Sequence, residues 1–248
     1  MITISQAQNS KAVMFHDLGS GHMVQANQHL IIKNDETMIL DPGGHKVYTS
    51  LFSQLSSVVK STSIKYLFFS HQDPDIIAAA NGWLMMTDAR AFLSELWMRF
   101  IPHFGIDQYV IDRITPIPDE GMLVNLGGID LKFIPAHFLH SSGNFQVYDP
   151  ELKILYTGDL GASLGAPWQE TDDFDAHVQY MDPFHRRYIP CRKAMKMWAN
   201  TARKLDIEII APQHGAMIKT PVAVEKFINW IDGLECGLDL MGDSFPVP

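Results

Sequence analysis

Ser70-His71-Gln72-Asp73-Pro74-Asp75-Ile76 follows directly on the apolar run Tyr66-Leu67-Phe68-Phe69. The run has the length and composition of a buried strand. Its end delivers three groups able to hold a metal: His71, Asp73 and Asp75. One imidazole beside two carboxylates is an oxygen-rich donor set, and the donor set bears on which metal binds.

The same juxtaposition recurs along the chain. His140 follows the strand-like Leu131-Lys132-Phe133-Ile134. Asp159 follows Ile154-Leu155-Tyr156-Thr157, in Thr157-Gly158-Asp159. His214 follows Ile209-Ile210-Ala211, in Ala211-Pro212-Gln213-His214-Gly215. Loops at one edge of a rigid sheet commonly hold sites, because the scaffold fixes the ligands while the loops stay reachable. Gly158 and Gly215 permit tight turns beside two of these residues. An isolated loop Asp is ordinarily turn chemistry, and an isolated buried His is ordinarily hydrogen-bonded. Four strand ends that each deliver His or Asp point instead to a metal site. His137 is the rival of His140, three residues away. His16, His22, His29, His45, His103, His177 and His185 read as surface, core or supporting histidines, with His185 and Tyr180 the candidates to line the pocket.

The rest of the chain sets bounds. Its 248 residues allow one α/β domain or two small ones. No repeat, low-complexity tract or linker interrupts it, so one continuous domain over residues 1–248 is expected. The formal charge of −9 argues against a nucleic-acid or anionic-membrane surface. No apolar run reaches the ~20 residues of a membrane span, and the N-terminus lacks the pattern of a signal peptide. Two cysteines, Cys191 and Cys236, are too few for a disulfide framework. Reduced thiols and a cytoplasmic location are the expectation.

Strands dominate early. His29–Lys33, Asn34-Asp35-Glu36 and Thr37–Leu40 read as a hairpin closing on Asp41-Pro42-Gly43-Gly44. The patterns predict helices over 47–60, 77–86, 91–100, 190–204 and 222–234, and strands over 63–69, 131–134, 145–148, 154–157 and 208–211. Such an order fits two packed sheets with helices outside, a four-layer αββα sandwich.

Taken together, Asp41-Pro42-Gly43-Gly44, Ser70-His71-Gln72-Asp73-Pro74-Asp75, Leu139-His140-Ser141-Ser142-Gly143-Asn144, Thr157-Gly158-Asp159 and Pro212-Gln213-His214-Gly215 resemble the metallo-β-lactamase superfamily over nearly the whole chain. The resemblance implies a two-metal site at the sheet edge. Hydrolases of that superfamily carry His-x-His-x-Asp-His. Here Asp73 and Ile76 replace two of those histidines. The nearer match is the flavodiiron pattern His-x-Glu-x-Asp, with Asp73 in place of Glu. Ser94–Trp97, Phe100–Gly105, Phe184-His185-Arg186-Arg187-Tyr188 and Glu235–Leu240 further resemble stand-alone oxygen-binding diiron relatives.

That resemblance implies one iron on His71, Asp73 and His140, a second on Asp75 and His214, and Asp159 bridging them. Zinc or manganese are the other metals the site could take. Some flavodiiron proteins place a further His at the position of Ile76, so the second metal is expected to have fewer protein ligands here. Flavodiiron proteins carry a flavodoxin domain; no phosphate loop for FMN follows in this sequence, so electrons are expected from a separate donor, if they are needed at all. The favoured function is a diiron protein that binds dioxygen, as sensor, carrier or slow reductase. The alternatives are a metal-dependent hydrolase of a small ester, lactone or thioester, and an O2 or NO reductase with a separate electron donor. The partners expected are dioxygen and an electron donor or signalling protein, and a homodimer is left open.

Overall fold

A computed structural model describes residues 1–247. The chain opens with β1 (Ile2–Ala7), β2 (Ser10–Phe15), β3 (Gln28–Lys33) and β4 (Glu36–Leu40). Helix α1 (His45–Leu55), β5 (Ile64–Phe68), α2 (Pro74–Ile77), α3 (Ala80–Met86), β6 (Arg90–Ser94) and β7 (Ile114–Ile117) follow. The second half holds β8 (Met122–Leu126), β9 (Ile129–Pro135), β10 (Phe145–Asp149), β11 (Ile154–Gly158) and β12 (Glu170–Thr171). It then continues with α4 (Phe174–Tyr188), α5 (Arg192–Ala202), β13 (Ile209–Pro212), β14 (Met217–Lys219) and α6 (Pro221–Gly233).

The strands make two seven-stranded sheets, ordered β1-β2-β3-β4-β5-β6-β7 and β12-β14-β13-β11-β10-β9-β8. Period-two alternation decides which face each residue serves. Leu30 packs outward against Leu51, Leu55 and Trp83 of α1 and α3. Its neighbour Ile31 packs inward, in the cluster that also holds Phe133, Val147 and Ile154 of the other sheet. Leu155 and Ile210 face a third cluster, with Met195 and Trp198 of α5 and Phe227 of α6. Three cores between four layers make the expected αββα sandwich. Among the described residues, no helix is long and apolar enough to cross a membrane.

One ion pair joins the sheets at the end away from the strand-end loops of interest. Lys33 closes β3 and Asp149 closes β10; Lys33 Nζ lies 2.7 Å from Asp149 Oδ2, with both side chains fully buried. Glu151 Oε2 is 2.8 Å from the same ammonium.

Several sequence expectations require correction. Residues 91–100 are not a helix: Ala91–Ser94 belong to β6, a parallel strand between β5 and β7, and Glu95–Phe104 form 3-10 turns. A short apolar run fits a buried strand as well as a helix, and the alternation of Ala91 and Leu93 outward with Phe92 inward is the strand period. The helix expected over 77–86 is two pieces, α2 and α3, and α1 stops at Leu55 rather than at Lys60. Helix α4 was not anticipated. Its buried stripe of Phe174, His177, Met181 and His185 contains two histidines and reads as weakly apolar.

Candidate metal centre

The strands deliver all six candidate ligands to one end of the sandwich. After β5, Ser70 and His71 turn the chain into α2, where Pro74 occupies the first helical turn with its φ already set. Asp73 stands at the N-cap of α2 yet makes no capping bond. Its Oδ2 instead faces His71 Nε2 at 3.6 Å and His140 Nε2 at 3.5 Å. His71, Asp73 and His140 each offer one ligand atom, and these atoms lie within 4.8 Å of one another.

Asp159, just past β11, lies between this trio and the remaining pair. Its Oδ2 is 2.9 Å from His140 Nε2, and its Oδ1 is 3.9 Å from His71 Nε2 and 3.5 Å from His214 Nε2. His214 Nε2 in turn lies 3.5 Å from Asp75 Oδ2. His71 and Asp159 are buried, while Asp73 and Asp75 keep about a third or more of their side chains in solvent.

Supporting bonds orient these groups. His71 Nδ1 is 3.0 Å from Ser70 Oγ. His214 Nδ1 donates to the Gln25 carbonyl at 2.6 Å, which turns its Nε2 lone pair toward the cluster. The Gln25 side chain accepts from Gly215 N–H at 2.8 Å, and Asn27 donates to Gly215 O at the same distance. Gly215 has φ +80, and a Cβ there would collide with Ser163. Ser141 donates to Gln72 at 2.6 Å, and Gln72 donates to Asp73 Oδ1 at 3.0 Å. Asn144 holds the His140 loop through the Leu139 carbonyl at 2.7 Å. Asp41 is buried and accepts from Ser70 N–H at 2.8 Å, and burial lifts its pKa to about 6.

The electrostatics follow from three carboxylates crowded against three imidazoles. Burial opposes charge on His140, but hydrogen bonds from it to Asp159 and Asp73 outweigh that and lift its pKa to about 10. His71 is raised too: burial works against its charge, and Asp159 and Asp73 prevail. Asp73 is held below the usual carboxylate range by His140 and His71. Asp159 is lowered although burial opposes it, because His71 and His140 attract its charge. In the absence of a metal, protons on His71 and His140 offset the charge of Asp73 and Asp159; a metal would displace them.

Two buried polar atoms, His71 Nε2 and Asp159 Oδ1, have no hydrogen-bond partner. Both face the cluster. Ten other buried side-chain atoms among the described residues also lack partners, but these two lie 3.9 Å apart among the candidate ligands, where a cation would satisfy both. The residues present therefore fit a metal pair.

His137 stands apart from the cluster, with Nε2 3.0 Å from the Asp119 carbonyl and its ring edge-on to Phe145. Ile76 is fully buried in the outer core with Leu84 and Trp83. His185 does not reach the cluster's ligand atoms but supports them. Its Nδ1–H donates to the Met181 carbonyl at 2.8 Å, and its Nε2 accepts from Gly161 N–H at 2.9 Å, which ties α4 to the loop of Asp159. Burial pushes its pKa down to about 4, so it is neutral as this pairing requires. Tyr180 packs edge-on against Trp168, beside His177. Phe184 and Tyr188, one turn apart on α4, stack at 4.7 Å and present their rings to His140. Gln25 and Asn27 carry no signal of their own in the sequence. Phe184 and Tyr188 do: two aromatics at i and i+4 mark one helix face.

Comparison with known proteins places this geometry in a family. Residues 24–215 match the family model described as ODP family beta lactamase. The structure of the chemotaxis sensor ODP in its peroxy diiron form superposes with a TM-score of 0.87 at 36% identity, covering 96% of this chain and 97% of that one. The apo state of chemotaxis sensor ODP from T. denticola gives 0.85 at 37% identity, covering 96% of each chain. Among curated proteins, an uncharacterised protein of Methanocaldococcus jannaschii is 24% identical over 87% of this chain and 55% of its own length. Diflavin flavoprotein A 1 of Synechocystis sp. is 24% identical over 81% of this chain and 35% of its own. The chain thus spans about half or less of the length of such curated relatives. Rubredoxin oxygen:oxidoreductase from Desulfovibrio gigas shares the fold, with a TM-score of 0.77 at 17% identity over 93% of this chain and 62% of that one. The chain belongs to the ODP family of the β-lactamase fold.

Proposed function

We propose that this protein binds dioxygen at a non-haem diiron centre held by His71, Asp73, Asp75, His140, Asp159 and His214. The observation that carries the reading is the position of Asp159: a buried carboxylate with Oδ2 turned to His140 and Oδ1 to His214. One metal would take His71, Asp73 and His140, the other Asp75 and His214, with Asp159 shared. Ile76 offers the second metal no ligand. Histidine and carboxylate donors together suit non-haem iron, whereas zinc hydrolase sites favour nitrogen. The ODP structures, at 36–37% identity, are of a diiron chemotaxis sensor, which supports both the metal and the ligand.

When bound, the iron pair supplies the affinity for dioxygen and the electrons that hold it. The chain's residues do the rest. Ser70 and Gln25 fix which nitrogen of His71 and His214 faces inward. Ser141 and Gln72 steer Asp73, whose shorter side chain needs an anchored carboxylate to reach. Phe184 and Tyr188 shield His140 with apolar rings, an approach suited to a small uncharged molecule. The sensing role, a separate electron donor or signalling protein, a single domain over 1–248 and a cytoplasmic location belong to the same proposal.

Elemental analysis of protein made in iron-replete medium tests the metal: about two iron atoms per chain are expected. About two zinc atoms and little iron would overturn the proposal in favour of a hydrolase. Exposure of the reduced protein to dioxygen tests the ligand. A near-ultraviolet absorption band should appear, persist, and reverse under vacuum. Rapid NADH turnover with an added reductase would instead make it a reductase.

A further inference from the structure

The chain's two cysteines lie 45 positions apart in sequence, and the fold brings them to one place. Cys191 stands immediately before α5, and Cys236 immediately before the 3-10 turn Gly237–Leu240. Cys191 is bracketed by contacts to that turn. On one side, Leu238 N–H donates to the Pro190 carbonyl at 2.7 Å. On the other, a single oxygen, Asp239 Oδ2, accepts from Arg192 N–H at 2.6 Å and from Cys236 N–H at 3.1 Å. Gly237 sits so close to Ile189 and Pro190 that a Cβ there would collide with both carbonyl oxygens. Both thiols are free.

We propose that Cys191 and Cys236 form a redox pair that closes into an internal disulfide when it meets a small disulfide oxidant. A disulfide needs Cα atoms roughly 4.4–6.8 Å apart, and the hydrogen bonds that link Pro190 and Arg192 to the 236–239 turn hold the two cysteine-bearing segments side by side, as such a bond requires. The roles are unequal. Cys191 is partly exposed and Cys236 is fully buried, so Cys191 is the one an oxidant meets first. Burial, with Asp239 and Cys191 nearby, also pushes the Cys236 thiol up to about 11, so Cys236 is the poorer nucleophile toward an oxidant in solution and reacts only with a disulfide already held beside it on Cys191.

The chemistry balances in two exchanges. The Cys191 thiolate attacks one sulfur of the oxidant and expels a small thiolate, leaving a mixed disulfide. Cys236 then attacks the Cys191 sulfur, expels the second small thiolate, and gives up its proton. Two protein thiols are oxidised and one small disulfide is reduced to two thiols. Closure would fasten the 235–239 segment across the junction of α4 and α5. Arg186 of α4 already bonds the Glu235 carbonyl at 3.0 Å, and Phe184 and Tyr188 of that helix lie against His140. The pair is thus placed to stiffen one wall of the candidate centre, and its chemistry does not depend on which metal that centre holds.

The test treats the full-length reduced protein with oxidised glutathione, then measures free thiols, intact mass and a non-reducing peptide map. Free thiols should fall from two to none in a monomer that has lost two hydrogens, with one peptide pair joining Cys191 to Cys236. Cys236→Ala should stop at a stable glutathione adduct on Cys191, and Cys191→Ala should leave Cys236 unmodified. A wild-type protein that keeps the glutathione adduct, keeps both thiols free, or links into dimers would overturn the proposal.

Discussion

Asp159 Oδ2 lies 2.9 Å from His140 Nε2, and the same carboxylate's other oxygen is buried without a hydrogen-bond partner. One oxygen is thus committed to the His71–Asp73–His140 side, and the other is free for the His214–Asp75 side. Asp159→Asn keeps the shape but removes the negative charge and replaces an acceptor with donors. It should reduce bound metal from about two per chain to one or none, with the fold retained by circular dichroism. His140→Ala and His214→Ala should each do the same. Unchanged metal content in any of the three would show the ligand set to be wrong.

His185 joins α4 to the Asp159 loop through Gly161. His185→Ala leaves that amide and the Met181 carbonyl unpaired and opens a void beside Trp230. A loss of about 2–4 kcal/mol in unfolding free energy is expected from urea titration. His185→Gln, which can still accept from Gly161, should lose less. Equal stability of wild type and His185→Ala would show that the bond does not hold the loop.

The candidate residues were legible because most of them follow a strand end, where the apolar pattern stops, and the fold brings them together. His71, Asp159 and His214 stand out in this way without any neighbour in space. Choosing His140 over His137 needed the resemblance of Ser141-Ser142-Gly143, since both lie in one loop. The supports were not legible: Gln25 reaches His214 across 189 positions, and no local pattern encodes such a contact. The fold was read correctly at the level of layers. It was misread where a short apolar run, Ala91–Leu93, could serve either period, and where α4 hides its core face behind His177 and His185.

Those histidines also set the response to acid. Burial lowers His29 to about 3, and His177 and His185 to about 4, from an ordinary 6.5. Each is neutral when folded and takes up a proton when unfolded below pH 6.5. A lowered folded pKa gives stability that is present above the unfolded value and lost as pH falls through the window down to the folded one. Unfolding free energy should therefore decline from about pH 6.5 to about pH 4, by at most about 1.4 kcal/mol per pH unit for each histidine, with Asp41, raised to about 6 by burial, working against one of them between about pH 6 and pH 4. Urea titrations across that range measure the slope. A flat profile would mean that these rings are not neutral in the folded protein.

The Lys33–Asp149 pair offers a test that separates the scaffold from the site. Both side chains are fully buried, at the end of the sandwich away from the candidate ligands. Lys33→Met leaves Asp149 charged and without its main partner, and a loss of about 3–5 kcal/mol is expected. Lys33→Met combined with Asp149→Asn removes both charges but keeps a side-chain oxygen to accept from Glu151 N–H and Leu152 N–H, and should recover much of that stability. Metal content should match wild type in the double variant, because no candidate ligand bonds to either residue. A double variant less stable than Lys33→Met alone would show that the two side chains serve the fold by contacts other than the charge pair.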